Sequence, residues 1–239
     1  MSPRRTIILL LCLLLTVPAI ARAEAEADPF ESINRPLFVF NDKVDEYLLR
    51  PTARGYRWVM PDPAEQGVTN FFSNLRDVNA AVNGVLQGRP ANAARASGRV
   101  LLNSTIGILG LFDVASRMGL TPYRTDFGHT LAVWGFPQGP YLVVPLLGPK
   151  TVRSGTGTIF DGYTSVESTI DDVRLRNSTR GLDLVSTRAR LLKADDLISG
   201  DRYIFVRDAY LQSRRALVSE GELKDDFSDF GDNGWDEEF

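Results

Sequence analysis

His129 is the only histidine of the 239-residue chain and Cys12 its only cysteine, so the side chains that most often act as bases, nucleophiles and metal ligands are nearly missing. A two-histidine H-E-x-x-H metal site is excluded, and no G-x-S-x-G turn offers an activated serine. His129 lies in an apolar stretch rich in glycine and proline, which predicts a core or interface histidine with its hydrogen bonds satisfied. Gly155-Thr-Gly157-Thr-Ile-Phe-Asp-Gly162 lacks dinucleotide spacing, and Gly148-Pro-Lys150-Thr151 lacks the glycine before lysine that a P-loop requires. Asp171-Asp172 and Asp195-Asp196 are adjacent pairs whose side chains diverge on a helix, so neither forms an acid/base dyad. Asn103-Ser-Thr105 and Asn177-Ser-Thr179 match the glycosylation acceptor, a pattern too short to carry weight. The expectation is a protein with no catalytic residues, no metal and no cofactor, and not an enzyme.

The elements that carry these residues read as mainly α-helical. Asp28-Pro29-Phe30-Glu31 predicts a helix start, with Asp28 accepting from the first turn and Pro29 needing no donor, and Asp62-Pro63-Ala64-Glu65 repeats the device. Behind the first start, Ile33, Leu37, Phe40, Val44 and Leu48 form one apolar stripe, with Pro36 as a kink. Val68, Phe71, Phe72 and Leu75 follow the second. Further helical patterns run over Val78 to Leu86, over Asn92 to Leu102, and through Tyr203, Val206, Tyr210, Arg214 and Leu217. Two apolar, irregular stretches interrupt them. Val100 to Phe112 is uncharged and contains Gly107 and Gly110; Phe127 to Pro149 has no formal charge, and Pro137, Pro140 and Pro145 forbid a continuous helix. Pattern alone predicts that both are buried core loops, since irregular backbone in bare hydrocarbon would leave polar groups unpaired.

The ends differ from the body. Arg4-Arg5, the apolar run from Ile7 to Leu15, Pro18 and Ala21-Arg22-Ala23 have the layout of a secretion signal, and the run is shorter than the ~20 residues of a membrane-spanning helix. Cleavage after Ala23 is expected. Cys12 then leaves with the signal, no disulfide or thiolate site is possible, and Leu11 before it gives no lipobox, so a lipid anchor is not expected. At the other end Glu220 to Phe239 holds nine acidic residues against Lys224, which predicts a disordered tail. The body between, residues 24–219, is read as one domain. Its slight positive excess is too small to suggest nucleic acid as a partner.

Several motifs in order identify a family. They are Asp28-Pro-Phe-Glu-Ser-Ile-Asn34-Arg35-Pro-Leu-Phe38-Val-Phe40-Asn41, Gly67-Val-Thr-Asn70-Phe71-Phe72-Ser-Asn74-Leu75, and Asn83-Gly-Val-Leu-Gln87-Gly88. Then follow Asn103-Ser-Thr-Ile-Gly107-Ile-Leu-Gly110-Leu-Phe112-Asp113-Val-Ala115, Asp126-Phe-Gly128-His-Thr-Leu131, and the run from Trp134 through Tyr141 to Pro149. Over Asp28 to Lys224 the chain resembles the MlaA (VacJ) family, the outer-membrane component of a system that maintains lipid asymmetry in Gram-negative bacteria.

That resemblance implies a ring-like helical protein in the inner leaflet of the outer membrane, with an amphipathic central channel. It implies removal of mislocalised phospholipid from the outer leaflet and its transfer to a periplasmic, MlaC-like carrier, with a trimeric porin as neighbour. By the same resemblance Asn103 to Ala115, including Thr105, Gly107, Gly110, Phe112 and Asp113, would form a flexible hairpin that controls the channel. Asn34, Phe40, Asn41, Asn70, Phe71, Asn74, Asp126 and Tyr141 would shape or line it. Uncharged amides beside Phe and Leu suit a two-tailed lipid, because they meet headgroup and chain without a trapping charge. Glycines at 107 and 110 would admit backbone conformations closed to other residues. Family members are lipoproteins, so the expected loss of Cys12 is a departure, and attachment would fall to apolar surface. The alternatives are a porin-associated structural protein that transports nothing, and, further off, a phospholipid-cleaving enzyme.

Overall fold

The structure, a computed structural model, describes residues 28–198 and 200–219; the expected signal and acidic tail lie outside the described residues. It is built from helices α1 (Glu31–Val44), α2 (Arg50–Val59), α3 (Asp62–Leu86), α4 (Pro90–Thr105), α5 (Val114–Arg117), α6 (Phe127–Val133), α7 (Val152–Thr164), α8 (Val173–Leu191) and α9 (Arg202–Ser219). Among the described residues one antiparallel pair, β1 (Tyr141–Val144) and β2 (Gly148–Thr151), lies between α6 and α7, in register Tyr141 with Thr151 and Val144 with Gly148.

The helix ends do not always follow the motifs. Asp28 does not cap α1 in the ordinary sense. The helix opens at Glu31 with no side-chain cap, while the Asp28 carboxylate accepts from the Phe30 backbone N–H and the Asn34 side chain, and from the Tyr203 hydroxyl. Asp62 likewise sits inside the first turn of α3, after an extended Pro61. Pro36 lies within an unbroken α1; the irregularity comes later, as a wide π-turn over Asp45–Leu49. The patterns at Val68 to Leu75 and at Val78 to Leu86 merge into the 25-residue α3. Where prolines break the helix after Val133, the chain turns into the β-hairpin, and Thr151 and Ser154 then form a capping box that starts α7. Gly157 lets α7 lie directly on α6: a Cβ there would stand 2.2 Å from the Gly128 nitrogen.

The packing is inverted relative to a soluble globule. The apolar core is small, gathered around Tyr141, Val143 and Tyr203 with Leu37, Phe38, Tyr210 and Leu211 against it. The largest fully buried side chains include Arg99, His129, Asn34, Asn83 and Thr130. The buried face of α3 carries Asn74, Asp77 and Asn83 beside Phe72, Ala80 and Gly84. Outside, the apolar stripe is split: Leu37 packs on the core and Val44 is half-buried, whereas Ile33, Phe40 and Leu48 are exposed, as are Tyr47, Trp58 and Val59. Among the described residues no helix is long and apolar enough to cross a membrane.

Candidate functional site

Asn34 and Asn41 lie two turns apart on one face of α1, and each grips the β-hairpin by its backbone. Asn34 donates to the Tyr141 carbonyl at 3.1 Å and accepts from the Val143 N–H at 2.9 Å. Asn41 donates to the Val144 carbonyl at 3.0 Å and accepts from the Leu146 N–H at 2.7 Å. A carboxamide carries both a donor and an acceptor, so it satisfies a strand edge as a neighbouring strand would. Tyr141 is buried beneath this clamp, and Leu146, at φ 64°, and Leu147 are left exposed at the turn.

The segment Asn103 to Ala115 is held in the same manner. Asn103 accepts from the Ala115 N–H and donates to the Asp113 carboxylate. Asn70, half-buried on α3, donates to the Leu111 carbonyl, and the buried Asn74 donates to the Ser104 hydroxyl. Thr105 is exposed and donates back to its own helix, at the Leu101 and Leu102 carbonyls. The glycines divide their roles. Gly110 has φ 90° and packs against Asn74, whose Cβ a methyl there would meet at 2.8 Å; Gly107 serves close approach, a Cβ falling 2.3 Å from the Phe112 carbonyl oxygen. Gly110 thus takes the left-handed conformation expected of it, while Gly107 does not, and its neighbours Ile108 and Leu109 adopt that conformation beside Gly110. Ile108, Leu109 and Phe112 point outward, so neither apolar segment is wholly the buried loop that pattern predicts. Phe40 is exposed as well, whereas Phe71 is half-buried, edge-on to Phe72 with ring centres 5.2 Å apart.

Beneath this loop sits a residue that the sequence did not single out. Arg99 is 1% exposed. Its guanidinium reaches Asp77 at 2.9 Å, the Ser116 hydroxyl at 2.8 Å, the Leu120 carbonyl at 2.6 Å and Asp113 at 3.4 Å. Burial pushes the Asp77 carboxyl up against the pull of Arg99. For Asp113 burial acts the same way, but hydrogen bonds from Ser116 and Asn103 prevail and hold it below the usual range. Arg99 was detectable as a lone charge within the apolar window from Ala96 to Leu102. Asp126 caps α6 through the His129 N–H and is gripped by Arg214 from α9, which outweighs burial and lowers its pKa. It therefore joins α6 to α9.

A cavity of about 660 Å³ opens between the β-hairpin, α7 and α8. One face of α7 supplies Gly155, Thr158, Ile159, Gly162 and Tyr163, the hairpin adds Val144 and Leu147, and Ser168 completes that wall. Three cations face this lining: Lys150 from β2, and Arg176 and Arg180 at a spacing of four on α8. None makes an ion pair with a described carboxylate. Burial lowers the Lys150 pKa, as expected of a cation kept from water without a partner. Of the residues that the resemblance assigns to the channel, none lines this cavity, whereas Lys150, Gly155 and Gly162, from the motifs set aside above, do; Asn34 and Asn41 fix the hairpin that contributes to it. The cavity size is that of a ligand site, and its lining, apolar with a cationic side, is amphipathic.

Comparison with known proteins agrees in sequence and in fold. The family model described as MlaA lipoprotein matches residues 26–217. The intermembrane phospholipid transport system lipoprotein MlaA of Escherichia coli (strain K12) is 37% identical over 208 residues, covering 84% of this chain and 82% of its own. The protein of the same name from Haemophilus influenzae is 30% identical, covering 82% and 81%, and an uncharacterised protein of Rickettsia typhi is 36% identical, covering 80% and 78%. A solved structure reported as the structural basis for maintenance of bacterial outer membrane lipid asymmetry superposes with a TM-score of 0.70 at 36% identity, covering 80% of this chain and 99% of that one.

Proposed function

The chain belongs to the MlaA lipoprotein family, and from that membership we propose that it takes phospholipid from the outer leaflet of a Gram-negative outer membrane and passes it to a periplasmic carrier, maintaining lipid asymmetry. Its mature body is residues 24–219, lying in the inner leaflet beside a porin. One observation carries the reading: many large apolar side chains are exposed while a set of polar ones is buried, in a protein that also holds a cavity with an apolar wall and three cations. Apolar exterior is stable only against hydrocarbon or a partner. Within, Ile159, Tyr163 and Leu147 suit acyl chains, and Lys150, Arg176 and Arg180 suit a phosphate. The asparagines act as shaping groups that hold two apolar-tipped loops against the helices. The relatives are named lipoproteins, which counts against the expectation that a lipid anchor is missing; the exposed belt supplies attachment in addition to any anchor.

The test is lipid extraction from the purified mature protein, followed by mass spectrometry. Wild type should need detergent and yield bound phospholipid, and Lys150→Glu with Arg176→Glu should yield several-fold less. In cells, deletion should raise outer-leaflet phospholipid. A detergent-free, lipid-free monomer, or an unchanged leaflet on deletion, would overturn the proposal and favour a structural, porin-associated role.

A further inference from the structure

A second cavity, of about 570 Å³, lies away from the groove just described and shares none of its lining. Its walls are Arg89, Asn92, Arg95, Pro122, Tyr123, Arg124 and His129. They come from the start of α4, the segment that leads into α6, and α6 itself. We propose that this cavity is an anion site that binds a phosphate group, with His129 as a neutral hydrogen-bond donor at its floor.

No described carboxylate pairs with the charge of the three arginines. Arg95 and Arg124 are exposed, and none of the three makes an ion pair with a described carboxylate. Arg89 donates to the Tyr123 hydroxyl at 3.1 Å, which holds its guanidinium at the cavity wall. Helix α4 starts immediately beside it, with Arg89 at the cap position and no side chain capping the first-turn N–H groups. Both the fork of an arginine and an uncapped helix start favour an anion.

The independent observation is His129. It is 1% exposed, and its Nε2 is buried without a hydrogen-bond partner, while the residue lines the cavity. Its other nitrogen is committed. Gln87 Nε2 donates to the Thr125 hydroxyl at 2.7 Å, and Thr125 Oγ1 lies 3.1 Å from His129 Nδ1. The Thr125 hydroxyl has no other acceptor among the described hydrogen bonds, so its hydrogen points at Nδ1. Nδ1 is then the acceptor, and the ring hydrogen sits on Nε2. Gln87 is fixed in turn, because its Oε1 accepts from the Tyr123 hydroxyl at 2.7 Å and its amide also donates to Thr130. The network thus presents one oriented N–H without a described acceptor, beside a set of guanidiniums that no described carboxylate pairs. A buried donor without a partner is costly unless something supplies an oxygen. A phosphate oxygen meets that need, whether the phosphate belongs to a lipid headgroup or is free. The inference is independent of the transport reading, since it uses none of the residues of the first cavity.

The experiment uses full-length mature protein in detergent, titrated separately with inorganic phosphate and with a short-chain phosphatidic acid. The histidine side chain is ¹⁵N-labelled, and binding is followed by calorimetry and by the His129 ring resonances. Both probes should bind and shift Nε2 more than Nδ1, and Arg95→Glu with Arg124→Glu should weaken binding about tenfold or more. These two positions are exposed, so an unchanged melting temperature establishes folding. Binding of the phosphatidic acid alone supports the site with a headgroup as its source; equal affinity for inorganic phosphate supports it with free phosphate as its source. Unaltered binding in the double variant, or ligand binding that leaves Nε2 unmoved, would overturn the proposal.

Discussion

The buried face of α3 and α4 and the outer face of α1 follow opposite rules. Inside, Asp77, Asn83 and Arg99 are almost fully enclosed, and each is held by oriented partners from another element. Outside, Ile33, Phe40 and Leu48 recur at helical spacing over α1 and the turn that follows it, and each is half or more exposed. The difference teaches that specificity and attachment are separated in this molecule. Buried hydrogen bonds have strict geometry and fix one arrangement of helices, whereas apolar surface is non-directional and serves the surroundings.

The contrast breaks most severely at Arg99. Arg99→Met leaves Asp77 buried without its partner and should cost ~3–5 kcal/mol of stability, read as a shift of denaturation midpoint in detergent at constant slope. Adding Asp77→Leu should recover part of the loss; if the single substitution proves neutral, the polar interior is not what organises the fold.

Acidification attacks the same interior through His129. Burial first, then the charge of Arg89, lowers its pKa to about 4, against ~6.5 when unfolded. The nearby Arg153 and Arg214 push the same way and Asp126 opposes. The unfolded chain therefore takes up the proton first as pH falls, and stability is complete above ~6.5 and falls by roughly 3 kcal/mol as pH drops to about 4. Asp126, whose pKa is lowered, adds a further loss below the ordinary carboxylate range. His129→Gln should flatten the upper part of this profile in equilibrium unfolding measured against pH.

A smaller effect is expected at Asn34. Asn34→Ala strips the partners from the Tyr141 carbonyl and the Val143 N–H, which should cost ~1–3 kcal/mol and loosen β1. Hydrogen exchange at the Val143 amide reports it directly, and Asn34→Asp, which keeps the acceptor, should protect that amide more than Asn34→Ala does. The least effect on stability belongs to the outer face. Ile33→Ser with Phe40→Ser should change unfolding in detergent by under ~0.5 kcal/mol per site, yet reduce the fraction bound to lipid vesicles several-fold in flotation. Unaltered flotation would mean that this face is not the membrane contact.

Much of this arrangement was legible in the chain. The periodicity of α1, α4 and α9, the helix-breaking prolines at 137, 140 and 145, and the ordered Asn, Gly and Phe motifs all have local causes. Those motifs also carried the family, because they depend on residue identity at fixed spacing. What stayed hidden is the direction in which each pattern faces. The α1 stripe reads equally well as core or as exterior, since periodicity reports that a helix is amphipathic and not what its apolar face meets. Asp28 and Asp62 read as caps, but Asp28 is drawn to Asn34 and Tyr203, a residue 175 positions away.

By itself, then, the sequence determined a mainly helical protein with little catalytic chemistry, its irregular segments, and the family to which it belongs. Only the tertiary structure decided that Asn34 and Asn41 hold a strand edge, that Arg99 joins α3 to the 106–113 loop, and that Lys150 meets Arg176 and Arg180 around one cavity. The physical reason is range. Propensity, capping and periodicity act over a few residues, whereas hydrogen-bond satisfaction of a buried group is settled by whichever distant backbone or side chain packing brings within about 3 Å.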